Sequence, residues 1–422
     1  MVLGVSYQSR VNYSCYDPPV ISSTSGPGPS RRGLLTAAAT GVGLLALPAE
    51  ALTQRASAGA PSILKPLPPQ QFVDFGTNAE MRWDSVDRRR RLTTPERLFV
   101  RDHVATPTID ASTYQLQIFG DGLAKPRAGA DPLTLSYADL RAMPVTRMTT
   151  IHECTGNGRS FFATQQGQAA AGTPWTLGAV GAVAWEGVRL RTVLKRIGLD
   201  PAAVSVMATG LDAEFVSGGT NFGHVRRPFS IDKALDDALL VWGADGRDLL
   251  PDLGYPIRLV LPGWVGIGSI KWLGSLEVAT TELTSPWNTV FYRMTGGDYP
   301  PDSPPLTVNP VRSAFELGWG AQVPRRKVVT LTGRSWSGAG PIQHVDISTD
   351  GGASWERARL VRGGHREPWA QWAHDWHRPE AGDHVVMARA TDVLGRRQPL
   401  VTPFNSNGYF FDAVVRHPVT VV

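Results

Sequence analysis

Apolar and polar positions follow two textures along the chain, and the change between them divides it. In the first texture, strand and helix periods mix. YQLQIFG (Tyr114–Gly120) alternates at the two-residue period of a half-buried strand and ends in a Gly turn. LSYADLRAM (Leu135–Met143) follows with helical spacing, and Ser136 stands where an N-cap belongs. VRLRTVLKRIG (Val188–Gly198) predicts a second amphipathic helix closed by its Gly. PIRLVLPG (Pro256–Gly263) predicts a strand ending in a Pro-Gly turn. PPDSPP (Pro300–Pro305) marks a boundary. Beyond it VVTLTGRSWSG and HVDISTDGGASWERARL keep a two-residue period around Gly turns, and Asp350-Gly351-Gly352 fits a hairpin. The pattern predicts an α+β chain, with a mixed domain over 73–300 and an Ig-like β-sandwich over 306–422.

The N-terminal stretch differs from both. SRRGLLTAAATGVGLLALPAEA (30–51) pairs Arg31-Arg32 with a short Ala- and Gly-rich apolar run, ending in the A-x-A pattern Ala49-Glu50-Ala51. This predicts a twin-arginine export leader over 1–51, a periplasmic or other extracytoplasmic destination, and no membrane span in the mature chain. Residues 52–72, rich in Ala, Ser and Pro, read as a linker.

Composition narrows the chemistry. The 422 residues are 42% hydrophobic and 19% charged, which excludes a disordered or coiled-coil chain. Only two cysteines occur, Cys15 and Cys154, and Cys15 falls in the leader. A mature chain with one cysteine has no internal disulfide, cysteine zinc cluster or c-type haem attachment. Of 42 basic Lys and Arg residues only six are Lys. Arg-rich chains suit planar oxyanion recognition, although base composition of a genome produces the same skew. The basic residues are dispersed apart from Arg88–Arg91, and no nucleic-acid-binding pattern is present.

The segment that carries chemistry is IHECTGNGRSFF (Ile151–Phe162). Cys154 beside a Gly-Asn-Gly turn has three readings: a small buried hydrophobe, a nucleophile activated by Arg159, or a soft thiolate ligand to a metal held mainly by a cofactor. The last needs a cofactor surface elsewhere. FVRDH (Phe99–His103) offers Arg101 and His103 on one face of an extended segment, and RLVLPGWVGIGSIKWLG (Arg258–Gly274) offers Arg258, a Gly-rich loop, Ser269 and Lys271. His152-Glu153 is not the HExxH of a zinc protease, and His374 and His377 fit a Trp-rich strand better than a metal site.

In this order, FVRDH, HECTGNGR, GTPWTLGAVGAVAWEGVRLRTVL, YPIRLVLPGWVGIGSIKWLG and DISTDGGASWERARL resemble the sulfite oxidase family of molybdenum enzymes. The resemblance implies a molybdopterin-binding domain followed by an Ig-like dimerisation domain. It implies Cys154 as the protein ligand to molybdenum, with Phe99, Arg101, His103, Asp212, Arg258, Ser269, Ile270 and Lys271 holding Mo-molybdopterin. Arg101, His103, Arg159 and Tyr299 stand for the catalytic groups, with Tyr292 as rival to Tyr299. Two positions depart from animal enzymes, which carry a His where Leu253 stands and a pocket Arg where PFNSNG offers Asn407.

The activity so implied is oxidation of sulfite to sulfate by oxygen-atom transfer at molybdenum. A homodimer would pass electrons to a separate c-type cytochrome, since the haem domain of animal enzymes is missing. Two alternatives are the molybdenum subunit of a sulfane dehydrogenase and a non-catalytic binding protein on the same scaffold.

Overall fold

The computed structural model describes residues 62–296, 299–364 and 367–422, so the leader read over 1–51 lies outside them. Two five-stranded sheets build the first domain. One runs in the order Arg226–Ser230, Ser205–Gly210, Leu273–Ala279, Gln115–Phe119, Leu133–Ser136. Leu273–Ala279 pairs in parallel with Gln115–Phe119 and antiparallel with Ser205–Gly210, so the sheet is mixed. In the other, Val180–Arg189 lies between Thr146–Glu153 and Leu239–Ala244, and Arg258–Val260 pairs with the first half of the last. These inner strands are apolar on both faces, which is why Val180, Ala182, Leu240 and Leu259 are fully buried.

The helices are short, and the two expected from sequence form within the segments that predict them. Tyr137–Arg141 begins with a capping box: Asp139 N–H donates to Ser136 Oγ at 3.1 Å, and Ser136 N–H donates to Asp139 Oδ2 at 2.9 Å. Leu190–Ile197 buries Leu190, Val193 and Leu194 and stops at Gly198, whose φ of 87° suits glycine. Among the described residues no helix is long and apolar enough to cross a membrane.

The second domain is a sandwich of a four-stranded and a five-stranded sheet. The strand Ala370–His377 pairs with Val328–Trp336 along its whole length, and Trp372 and Trp376 enter the core. His374 lies 3.8 Å from exposed Glu356, and no metal-holding group is formed among the described residues. Ser348 and Asp350 side chains organise the predicted hairpin turn, with Ser354 N–H donating to Asp350 at 3.0 Å.

Two joins were not visible as sequence pattern. The proline-rich boundary separates strands but not cores: Ala314, Trp336, Trp369 and Phe411 pack with Phe161, Phe162, Val180 and Ala182 in one cluster. Residues 62–71, the end of the stretch read as a linker, are bonded to the first domain. Leu64 and Lys65 N–H groups donate to the Asp252 carboxylate at 2.8 and 2.7 Å. Buried Lys65 donates to the Leu98 and Glu96 carbonyls, and burial pulls its pKa down to about 7.

Candidate molybdenum-cofactor site

Strand Thr146–Glu153 delivers the chain to Cys154, where the sheet ladder stops and the chain turns into helix Ser160–Gln166. The turn is fixed by its own backbone. Cys154 N–H donates to Ala179 O at 2.9 Å and Asn157 N–H to Cys154 O at 3.0 Å. Asn157 then ties the turn down, donating to Glu153 Oε1 at 2.9 Å and accepting from Ala179 N–H at 3.2 Å. A Cβ on Gly156 would lie 2.6 Å from Arg159 Nη2, so glycine lets the guanidinium fold back over the loop. A Cβ on Gly266 would lie 2.7 Å from Glu153 O, so the Gly-rich loop passes in contact with the cysteine turn. This is the physical content of pairing HECTGNGR with GWVGIGSIK.

Cys154 lies at the junction of two spaces. An inner pocket is lined by Phe99, Arg101, His103, Asp212, Arg258, Ser269, Ile270 and Lys271, which with Cys154 are every cofactor-binding residue expected from sequence. An outer cleft of about 1970 Å³, open to solvent, is lined by Arg159, Asn407, Tyr409, Phe215 and Phe291. Arg101, His103, Cys154 and Tyr292 line both.

Burial pushes the Cys154 thiol up, while Arg101 and Arg159 pull it back. Arg159 is itself buried and oriented by two carbonyls, donating from Nε to Asn407 O at 2.9 Å and from Nη1 to Thr173 O at 2.8 Å. Among the described residues its Nη2 has no hydrogen-bond acceptor, so that nitrogen is available to the cleft. His103 Nε2 lies 3.1 Å from Arg101 Nη2 and 3.2 Å from Trp287 Nε1. Both partners are donors only, so Nε2 accepts and the ring proton sits on Nδ1. Burial and Arg101 also lower the His103 pKa well below its usual value, so the ring is neutral.

Arg258 donates to Leu253 O and Ser269 O, each at 3.0 Å, and to His152 Nε2 at 3.2 Å. Burial brings its pKa to about 9. An imidazole thus stands beside Arg258, supplied by the strand before Cys154 rather than by position 253. Lys271 is anchored on the Asp102 carboxylate and on Asp252 O at 2.9 Å. Asp212 is buried, which raises its pKa to about 6, and among the described residues its Oδ1 has no partner.

Tyr299, expected at the site, lines neither space, and its hydroxyl donates to Pro403 O at 3.4 Å. Tyr292 occupies the site instead, at φ 57° and stacked on Tyr409 with ring centroids 5.1 Å apart. Sequence reasoning also passed over His152, Tyr409 and Trp287. For His152 a signal existed: two residues before Cys154, it shares that residue's face on a strand.

The inner pocket suits a polar cofactor with an anionic end. It combines Arg258 and Lys271 with orphaned buried atoms, Asp212 Oδ1, Thr155 Oγ1 and Arg258 Nε, that need hydrogen-bond partners. Among the described residues that line it, the Cys154 sulfur is the only soft donor, and Cys154 also lines the outer cleft.

Comparison with known proteins agrees with that geometry. Residues 103–287 match the oxidoreductase molybdopterin-binding domain, and residues 316–420 match the Mo-co oxidoreductase dimerisation domain. Chicken (Gallus gallus) sulfite oxidase is 34% identical over 338 residues, covering 74% of this chain and 68% of that protein. Rat (Rattus norvegicus) mitochondrial sulfite oxidase is 31% identical over 77% of this chain, which spans 60% of its length. The crystal structure of the sulfane dehydrogenase SoxCD from Paracoccus pantotrophus superposes with a TM-score of 0.67 at 25% identity, covering 80% of this chain and 82% of that one. The cofactor is molybdopterin with molybdenum, and the chain belongs to the sulfite oxidase family.

Proposed function

We propose that this chain is an exported sulfite-oxidising molybdenum enzyme, working as a homodimer and handing its electrons to a separate c-type cytochrome. The observation that carries the reading is Cys154 at the junction of the two spaces, with Arg101 beside it and Arg159 across the outer cleft. Bound there, molybdenum would supply two-electron oxygen-atom chemistry.

The chain's own residues do the rest. Cys154 would hold the metal, whose charge completes the deprotonation that Arg101 and Arg159 favour and burial opposes. Arg258 and Lys271 would hold the anionic end of the pterin, with Asp212 and Ser269 meeting its polar edges. Arg101 and Arg159 gather a small sulfur oxyanion from solvent, and their positions are set before it arrives, so no reorganisation opposes binding. Burial pushes the Tyr292 phenol up, so it enters as a neutral hydrogen-bond donor. His103 keeps its proton on Nδ1 and orients Arg101 through Nε2. Phe215, Phe291 and Trp175 give the cleft an apolar wall beside its cations.

Molybdenum analysis and sulfite-dependent reduction of ferricyanide or cytochrome c test the proposal. One metal per chain with sulfite turnover supports it, and a metal-free protein after expression with cofactor supply leaves only a binding role. The likeness to SoxCD over four-fifths of both chains favours a second reading, the molybdenum subunit of a sulfane dehydrogenase. A metal-loaded protein inert to sulfite but active on sulfane sulfur selects it.

A further inference from the structure

Arg227 lies on the edge strand of the mixed sheet, outside both spaces around Cys154. It sits in strand Arg226–Ser230 with 1% exposure, and it makes no ion pair among the described residues. Burying a lone cation is unfavourable, so the fold must gain something by keeping it. Burial lowers its pKa only to about 10, so it stays charged at neutral pH.

Its fork grips two carbonyls, Trp287 O and, at 2.7 Å, Leu306 O. These flank the segment that carries Phe291 and Tyr292. Leu306 N–H donates to Tyr292 O at 2.8 Å, closing the same loop. Tyr292 is a bulky residue held at positive φ, a conformation that persists only when its surroundings impose it. Trp287, gripped at the other end, is the residue that donates to His103. One buried guanidinium therefore holds the supports of both aromatic groups beside Cys154.

Its charge also reaches the cleft. Burial raises the Tyr292 phenol, and Arg101, Arg159 and Arg227 oppose that rise while Cys154 adds to it. Tyr409, stacked on Tyr292, lies 5.6 Å beneath the Arg159 guanidinium. Asn407, at the rim, contributes an uncharged amide that donates to Thr295 Oγ1 at 3.1 Å. Arg159 thus lies over Tyr409, and Arg227 holds the carbonyls that flank the Tyr292 segment.

We propose that Arg227 is a positioning residue of the outer cleft: an uncompensated buried cation that fixes the Tyr292 loop and adds positive potential where the substrate anion binds. The proposal rests on reading the cleft as an anion site. Charge and clamp are separable, because lysine keeps the charge without the planar fork, whereas glutamine donates to carbonyls without charge.

The test is calorimetric titration of the cofactor-loaded full chain with inorganic sulfate, for wild type, Arg227→Lys and Arg227→Gln. Loss of a unit charge in a poorly screened interior weakens anion binding on the order of tenfold. Arg227→Gln is expected to weaken sulfate by that factor, and Arg227→Lys by about threefold or less, even where both lower the unfolding temperature. Wild-type affinity in Arg227→Gln, or equal losses in both variants, overturns the proposal. Should Arg227→Gln not fold, Arg227→Lys decides alone: retained sulfate affinity supports a charge role, and lost affinity overturns it. A wild type that binds sulfate but does not oxidise sulfite defeats only the functional reading, whereas a wild type that binds no sulfate defeats both.

Discussion

Arg312→Met tests whether the second domain holds the cysteine loop. Arg312 reaches from strand Arg312–Phe315 to Glu153, next to Cys154, with Nε 3.1 Å from Oε1 and side chains 4% and 1% exposed. The contact lacks hydrogen-bond geometry, so it is a Coulombic pair. A true hydrogen bond runs from Arg312 Nη1 to Asn157 O at 2.6 Å. Glu153 also accepts from Asn157 Nδ2 and, at 3.0 Å, from Trp336 Nε1 of the second domain. Removing Arg312 leaves a buried carboxylate with two neutral donors and no cation. Breaking a buried pair from one side costs roughly 3–5 kcal/mol. Burial already raises the Glu153 pKa, and Arg312 is the first group opposing that rise. The loss should therefore shrink as pH falls, since protonation removes the uncompensated charge. Urea denaturation followed by tryptophan fluorescence measures it at pH 8 and pH 5.5. Arg312→Met with Glu153→Gln should recover part of the loss, with a coupling of about 1.5 kcal/mol or more. A single-variant loss below about 1 kcal/mol, or strict additivity in the double variant, would refute the role assigned to the pair.

Three further outcomes are expected. Cys154→Ser replaces a soft thiolate by a hard hydroxyl and should leave the purified protein without bound molybdenum by elemental analysis; retained metal removes Cys154 from the ligand set. Tyr292→Phe should lower sulfite kcat/KM at least about tenfold, while Tyr299→Phe stays within about twofold, in steady-state assays; the reverse ranking reinstates Tyr299. The buried Asp212 carboxyl, raised from 3.8 to about 6, binds its proton more tightly folded than unfolded. Protein lacking cofactor should therefore lose stability as pH rises from about 4 to 6, by roughly 3 kcal/mol in total, and Asp212→Asn should flatten that slope in denaturation curves.

Much of this molecule is written locally. The capping box at Ser136, the Gly198 helix stop, the strand at Tyr114–Gly120 and the Asp350 turn each depend on residues within a few positions, so period and turn chemistry suffice to place them. The segments around Cys154 and Gly266 are also legible as candidates, because a lone cysteine and a Gly-rich loop stand out as residue types, and their resemblance to one family joins them.

What the chain order could not decide is which distant residues meet. Tyr292 and Tyr299 both follow the Pro286–Thr289 helix, and it is the former that lines the site, on a loop tied to Leu306 and stacked against Tyr409. His152 meets Arg258 because strand Leu239–Ala244 pairs with both Val180–Arg189 and Arg258–Val260, bringing the two segments onto one sheet. The proline-rich boundary looked like a division between independent cores, yet Trp336 and Arg312 cross it to bond the cysteine turn. A side chain's partner depends on sheet order and packing, which long-range burial selects, whereas a turn or a cap depends on its neighbours alone.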